Sequence, residues 1–230
     1  MDGIRQVLKQ NSADIWVLTE THDDLAPPDC LNYAHSNDRP KNWSGIRSGS
    51  RWVSIWSRYP IIEQIWLDST DHERTVVALL DIGNSNRLLI YGTVLPWKGD
   101  RQTPGWSEHH RVIPQQCAEW QLLRKRYPNV PLCVVGDYNS DMGDGTRYGT
   151  KQGIAALRSG LKDSDMFCAT SPDQFPEGLL ETKPIDHLAL PIGWYKNSTV
   201  VAAWPADKTK HSDHSGLVVE VGAQTNRPEF

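Results

Sequence analysis

The stretch PLCVVGDYN, residues 131–139, decides the fold of this 230-residue chain. Four apolar residues, Leu132 to Val135, predict a strand buried within the protein. Asp137 and Asn139 follow at the point where that strand ends. Because strand ends hold side chains on a rigid backbone and let them converge, we expect a functional site at this end.

Helix and strand patterns lie on both sides of this stretch. Apolar residues at helical spacing predict helices at 2–11, 109–127 and 150–161, with Pro114 in the first turns of the second helix. Strand-like segments are 14–20, 51–57, 74–82, 87–95, 131–139, 184–190, 198–204 and 211–221, and GNSN at 83–86 predicts a hairpin turn. This order predicts an α/β fold, a layered α/β sandwich of two mixed β-sheets flanked by helices. Composition shows no break, so residues 1–230 are predicted to form one domain.

Acidic, amide and imidazole side chains occur at the ends of four predicted strands. Besides Asp137 and Asn139, these are Glu20, Asp186, and the neighbours Asp213 and His214. Each motif alone is weak evidence, since a motif such as SDH is more often a turn in which Asp or Ser binds backbone amides. Their number and their position at strand ends are what indicate a site.

Taken together and in this order, the motifs resemble the endonuclease/exonuclease/phosphatase superfamily, which has the DNase I-like fold. The resemblance runs from Gly3 to about Val221 and is carried by ADIWVLTETH (13–22), GDYN (136–139), IDHLAL (185–190) and SDHSGLVVEV (212–221). It implies a metal-dependent phosphodiester hydrolase. Glu20 would bind Mg²⁺, or Mn²⁺ in its place, and Asp213 would support the metal or its waters.

The resemblance also implies roles for the remaining polar residues. Asp137 would orient or deprotonate the attacking water, and Asn139 would donate a hydrogen bond to a phosphate oxygen. His214 would contact the phosphate or exchange a proton with it, while Asp186 would hold its imidazole in one tautomer. Whether Asp137 or His214 is the general base is left open.

Two features depart from the family pattern. The family opens with a central strand that bears an Asn, and this sequence starts after that position, so we expect either a truncated start or another segment in its place. Thr93 stands where the family has His or Tyr. It can donate a hydrogen bond to phosphate, but it can neither stack nor titrate.

The loops indicate the substrate. Trp43, Trp97 and Trp106 are interspersed with basic residues such as Arg101, an arrangement that suits stacking on bases and neutralisation of a nucleic-acid backbone. We therefore predict a nuclease acting on DNA or RNA, with Asn139, Thr93, Trp97 and Arg101 contacting the substrate. Two alternatives stay open: a phosphomonoesterase or lipid phosphodiesterase acting on inositol phosphate or sphingomyelin, and a catalytically impaired phosphate-binding module. The alternative without a functional role is that the tryptophans serve packing and the charged residues are ordinary solvent-exposed surface residues.

Charge and composition set further expectations. A net charge of -4 and a pI near 6.0 exclude a globally basic nucleic-acid coat but not a local basic cleft. We expect no membrane span and a cytoplasmic location. The four cysteines show no paired spacing, which indicates free thiols and no zinc site, and His22, His187 and His211 are expected to be surface or supporting histidines.

Overall fold

The computed structural model describes residues 2–40, 46–68, 71–207, 209 and 212–222. Three helices are present in these ranges: α1 (Asp2–Gln10), α2 (Ser107–Arg126) and α3 (Lys151–Asp163). The strands are β1 (Ile15–His22), β2 (Asn32–His35), β3 (Ser50–Ser57), β4 (Ile61–Ile65), β5 (Thr75–Gly83), β6 (Asn86–Val94), β7 (Leu132–Asp137), β8 (Met166–Cys168), β9 (Asp186–Pro191), β10 (Ser198–Trp204) and β11 (Gly216–Val221). Short 3-10 helices cover Asp100–Gln102 and Ile192–Asn197.

Local chemistry explains several of these boundaries. Asn84 and Ser85 both have positive φ, which gives the tight turn of the predicted hairpin between β5 and β6. Helix α3 begins after Thr150, whose side chain accepts a hydrogen bond from the backbone N–H of Gly153. Helix α1 begins at Asp2, as predicted, and ends at Gln10, one residue before the predicted end.

One mixed sheet of six strands, in the order β4-β5-β6-β7-β9-β8, forms the centre of the fold. Only β6 and β7 are parallel, and α2 makes the crossover between them. The facing layer consists of two antiparallel sheets, β1-β3-β2 and β10-β11. In the described part of the chain, β1 is hydrogen-bonded to β3 along one edge only. The predicted layered α/β sandwich is confirmed, with a second layer that is divided and antiparallel.

Three apolar clusters hold the layers together. Trp120 and Leu123 of α2 and Leu157 of α3 pack on one face of the six-stranded sheet. On its other face, Trp52 and Ile55 of β3 pack against residues of β5 and β6. A third cluster joins α1 to the outer face of the β1-β3-β2 sheet through Leu8, Trp16 and Trp56. Several of the ten tryptophans therefore serve packing.

The backbone of β6 and β7 comes unusually close together at Gly136. A Cβ atom at this residue would lie 2.0 Å from the carbonyl oxygen of Thr93, and its φ of 139° is one that residues with side chains rarely adopt. The glycine before Asp137 is thus required by the sheet itself. It places Asp137 on a strand end that cannot shift relative to β6.

The four cysteines are unpaired and buried. Burial raises the pKa of Cys117 and of Cys133 to about 12, so both stay as thiols at neutral pH. This agrees with the expectation of free thiols.

Acid is expected to destabilise the protein through His109, a fully buried residue of α2. Its Nδ1 donates to the carbonyl oxygen of Pro96, and burial lowers its pKa to about 4. Because unfolded His109 binds a proton more readily, the native state loses stability as the pH falls from 6.5 towards 4, by up to about 3 kcal/mol. The His109→Asn variant keeps a donor for Pro96 but does not titrate.

The measurement is urea unfolding of wild type and His109→Asn at pH 7, 6, 5 and 4. The variant should lose less stability over this range than wild type, with partly exposed His72→Asn as the matched control. Equal pH dependence in wild type and His109→Asn would show that His109 is not the source.

Candidate active site

Strands β7 and β9 bring two carboxylates together. Asp137 and Asp186 are direct partners in the antiparallel register of these strands. His214, in the loop before β11, reaches the same place, and ligand atoms of Asp137, Asp186 and His214 all lie within 4.8 Å of one another. Residues separated by up to 77 positions in the sequence therefore form one cluster, defined here as the catalytic cluster.

Asp137 is the buried member of the catalytic cluster, with 2% of its surface exposed. Its Oδ1 accepts the backbone N–H of Asn139 at 2.7 Å, and its Oδ2 accepts the Asn139 side-chain amide at 2.7 Å. Burial, and then the negative charge of Asp186, raise the pKa of Asp137 well above its usual range. A carboxylate in this environment has a greater tendency to take up a proton than an exposed one.

Asn139 supports Asp137. Its Nδ2 donates both to Asp137 and to the carbonyl oxygen of Leu95, at 2.8 Å, and its φ is 47°. The backbone amide of Leu95 in turn donates to the carbonyl oxygen of Asp137. In this conformation the amide predicted to donate to phosphate is engaged within the protein, and Asn139 fixes both oxygens of Asp137.

His214 is held by Asp186. The His214 Nδ1 lies 2.6 Å from Asp186 Oδ2, and the hydroxyl of Thr19 donates to Asp186 Oδ1 at 3.3 Å. Burial lowers the pKa of His214, but the hydrogen bond to Asp186 and the negative charges of Asp186, Asp137 and Asp213 outweigh this effect and raise it to about 10. The imidazole is therefore cationic at neutral pH, with Nε2 as the nitrogen not bound to Asp186.

Glu20 and Asp213 lie at the edge of the catalytic cluster. Glu20 lies near the end of β1, with a positive φ and a half-exposed carboxylate whose Oε2 is 3.4 Å from Arg39 Nη1. Its charge also contributes to raising the pKa of Asp137. Asp213 is exposed and directly precedes His214. Mutually repelling carboxylates with solvent access suit a hard divalent cation, which binds oxygen ligands and keeps some of its waters.

The three other predicted substrate residues have different surroundings. Thr93 is fully buried and its hydroxyl donates to Gln116 of α2, so it does not face the catalytic cluster in this structure. The ring of Trp97 packs 5.5 Å from that of Trp52. Arg101 is partly exposed and ion-paired with Asp71 at 2.6 Å. Of the three, Arg101 has the most solvent-accessible side chain.

The structure places two further residues around the site: His187, for which the sequence left a surface or a supporting role open, and Thr19, which the sequence analysis did not single out. His187 is fully buried rather than at the surface, and it joins Thr170 through Nδ1 and the carbonyl oxygen of Ser140 through Nε2. Thr19 contacts Asp186 across 167 positions of sequence. The only signal for either was adjacency to Asp186 or Glu20. His22 contacts the backbone of Ser48 and Asp24, and Trp43 and His211 lie outside the described residues.

The fold places the protein in the class of DNase I-like α/β sandwiches. The chain belongs to the Endonuclease/Exonuclease/phosphatase family, whose sequence profile matches residues 1–214. No curated protein matches the sequence.

Solved structures of the same fold include three of different activity. An AP endonuclease from Archaeoglobus fulgidus has a TM-score of 0.66 and 14% identity, over 96% of this chain and 93% of that one. A 3'-5' exonuclease from Neisseria meningitidis has a TM-score of 0.62 and 16% identity, over 96% of this chain and 93% of that one. Sphingomyelinase C from Streptomyces griseocarneus has a TM-score of 0.59 and 15% identity, over 92% of this chain and 87% of that one.

The helices in the described ranges are too short or too polar to cross a lipid bilayer.

Proposed function

We propose that this protein is a metal-dependent phosphodiester hydrolase, a nuclease that cleaves DNA or RNA by attack of an activated water on phosphorus. The observation that carries the proposal is the catalytic cluster, in which a buried carboxylate with a raised pKa lies beside a carboxylate–imidazole pair. This arrangement combines a proton acceptor with a cation, as hydrolysis of a phosphodiester requires.

Glu20 and Asp213 are the residues proposed to hold Mg²⁺, or Mn²⁺ in its place. Their carboxylates are partly or fully exposed, which leaves room for water and phosphate oxygens among the ligands. When bound, the ion supplies neutralisation of charge on the phosphoryl oxygens and the leaving group.

Asp137 is proposed as the general base. Burial and the charge of Asp186 raise its pKa, which strengthens it as a proton acceptor, and the two hydrogen bonds from Asn139 orient its oxygens. His214, held cationic by Asp186, is proposed to contact a non-bridging phosphate oxygen through Nε2 and stabilise the charge that develops there. The proposal thus assigns the role of general base to Asp137 and that of charge stabilisation to His214.

A nucleic acid is proposed as the substrate over a lipid or a phosphomonoester. Two of the structures of similar fold are an AP endonuclease and a 3'-5' exonuclease. The mix of aromatic and basic residues in the loops supports the same choice. The fold likeness to a sphingomyelinase makes a lipid phosphodiesterase the alternative to be tested.

The test is a panel of substrates assayed with purified protein: supercoiled plasmid, single-stranded DNA, RNA, sphingomyelin and inositol phosphates. We expect cleavage of at least one nucleic acid in Mg²⁺ or Mn²⁺, complete loss in EDTA, and recovery when the metal is restored. Cleavage of sphingomyelin or inositol phosphates alone would replace the nuclease proposal, and binding without turnover of any substrate would favour the phosphate-binding module.

A further inference from the structure

Two adjoining cavities lie beside the loop that joins β7 to α3. The larger has a volume of about 770 Å³ and reaches Arg158 and Tyr195. The smaller, of about 240 Å³, is lined by Asp141, Arg147, Tyr148, Thr182 and Lys183. Lys183 lines both, so they are neighbouring parts of one groove.

The smaller cavity is close to the catalytic cluster. Tyr148 and Asp141 are joined by two hydrogen bonds: Asp141 N donates to Tyr148 O at 3.2 Å, and Tyr148 N donates to Asp141 Oδ2 at 3.4 Å. A Cβ atom on Gly149 would contact Ser140 at 2.8 Å. The segment 147–149 therefore packs on residues 140–141, immediately after Asn139. In agreement, burial and then the charge of Asp137 raise the pKa of Tyr148.

The smaller cavity is positively charged where it is open. The Asp141 carboxylate is buried and accepts the backbone amides of Gly143, Arg147 and Tyr148. Within the described part of the chain, neither Arg147 nor Lys183 forms an ion pair with a carboxylate. Arg147 and Lys183 thus line a cavity in which the Asp141 carboxylate is already hydrogen-bonded to backbone amides. Two such cations can bind a phosphate group.

Tyr148 presents an aromatic ring to the same cavity. Tyr148 is 38% exposed, and Trp106 contacts its ring edge-on with centroids 5.4 Å apart. Trp106 is itself packed on buried His109, with centroids 5.1 Å apart. The ring is thus supported from within the protein and open on its outer side, as a stacking platform for a base should be.

We propose that Tyr148, Arg147 and Lys183 bind the nucleotide next to the scissile phosphate, with its base stacked on Tyr148 and its outer phosphate between the two cations. This subsite rests on the proposed nuclease function and specifies its substrate. A base on Tyr148 must be unpaired, so the substrate is a single strand or an unpaired end rather than intact duplex.

Lys183→Gln tests the phosphate contact, with Lys162→Gln as the matched control. Lys162 is an exposed residue in the last turn of α3 that lines neither cavity. For a labelled single-stranded oligonucleotide, Lys183→Gln should lower kcat/KM roughly 10-fold and reduce the slope of log(kcat/KM) against log[salt] by about 0.7. The control should change neither quantity. Identical salt slopes for the two variants would overturn the phosphate contact.

Tyr148→Ala tests the stack, with Tyr148→Phe and Tyr33→Ala as controls. We expect kcat/KM on the oligonucleotide to fall roughly 10- to 100-fold, and the preference for single strand over duplex to fall with it. Cleavage of bis(p-nitrophenyl) phosphate, which has no neighbouring nucleotide, should stay within twofold. Tyr148→Phe keeps the ring and should retain activity, as should Tyr33→Ala on the distant strand β2.

The outcomes separate the subsite from the proposed function. Equal losses on both substrates, or a Tyr148→Phe variant as impaired as Tyr148→Ala, would overturn the subsite while leaving the nuclease intact. Wild-type protein that cleaves bis(p-nitrophenyl) phosphate but no nucleic acid would overturn the nuclease and the subsite with it.

Discussion

Substituting His214 with Ala is expected to slow hydrolysis at least about 10³-fold at pH 7.5, within the range for loss of an acid–base or charge-stabilising group. The variant loses the imidazolium whose Nδ1 lies 2.6 Å from Asp186 Oδ2. Among the described residues, no other side chain forms a hydrogen bond with Oδ2, since Thr19 donates to Oδ1. The measurement is kcat and KM on the best nucleic-acid substrate of the panel. We expect the loss mainly in kcat, because the proposed contact strengthens as charge develops on the phosphate.

A second variant separates chemistry from folding. His214→Asn keeps a side-chain N–H that can donate to Asp186 but cannot carry a positive charge, so it should be nearly as inactive as His214→Ala and closer to wild type in thermal stability. Lys125→Ala is the control, since it lies in the last turn of α2, near the opposite end of β7 from Asp137. A His214→Asn variant with near-wild-type kcat would remove His214 from the mechanism.

Changing Asp137 to Asn is expected to reduce activity by at least about 10²-fold through loss of the proposed base. Its effect on stability should be small, within about 1 kcal/mol, because two opposing effects accompany the change. The neutral side chain no longer repels Asp186, but one of the two hydrogen bonds from Asn139 loses its acceptor. The measurements are metal-dependent kcat and the free energy of unfolding in urea.

Asp165→Asn is the matched control for this prediction. Asp165 is an exposed carboxylate with a positive φ, which Asn adopts readily, so neither activity nor stability should change. An inactive Asp137→Asn variant that is also strongly destabilised would assign Asp137 a structural role. A variant with wild-type kcat would exclude it as the base.

Much of the fold was predictable because its signals are local. The GNSN turn, the apolar run of β7 and the helical spacing of α2 each depend on neighbours within a few residues. The division of the second layer into two antiparallel sheets was not predictable, because strand pairing depends on contacts between distant segments.

For the candidate site, too, the sequence identified some residues and only the structure identified others. Asp137 and Asn139 were singled out because they follow an apolar run, but the hydrogen bonds that join them were seen only in the structure. Thr93 was expected to face phosphate, but the pleat of β6 turns its side chain towards Gln116. Tyr148 carried no motif, and only the packing of its loop on Ser140 and Asp141 places it beside the catalytic cluster.

The sequence by itself determined the residue types available for chemistry and the strand ends that carry them, because these follow from polar groups terminating apolar runs. The tertiary structure alone decided which of them meet. Register between β7 and β9 pairs Asp137 with Asp186, and the loop before β11 brings His214 within 2.6 Å of Asp186. Their pKa values depend on burial and on charges brought together by folding, so these too belong to the tertiary structure.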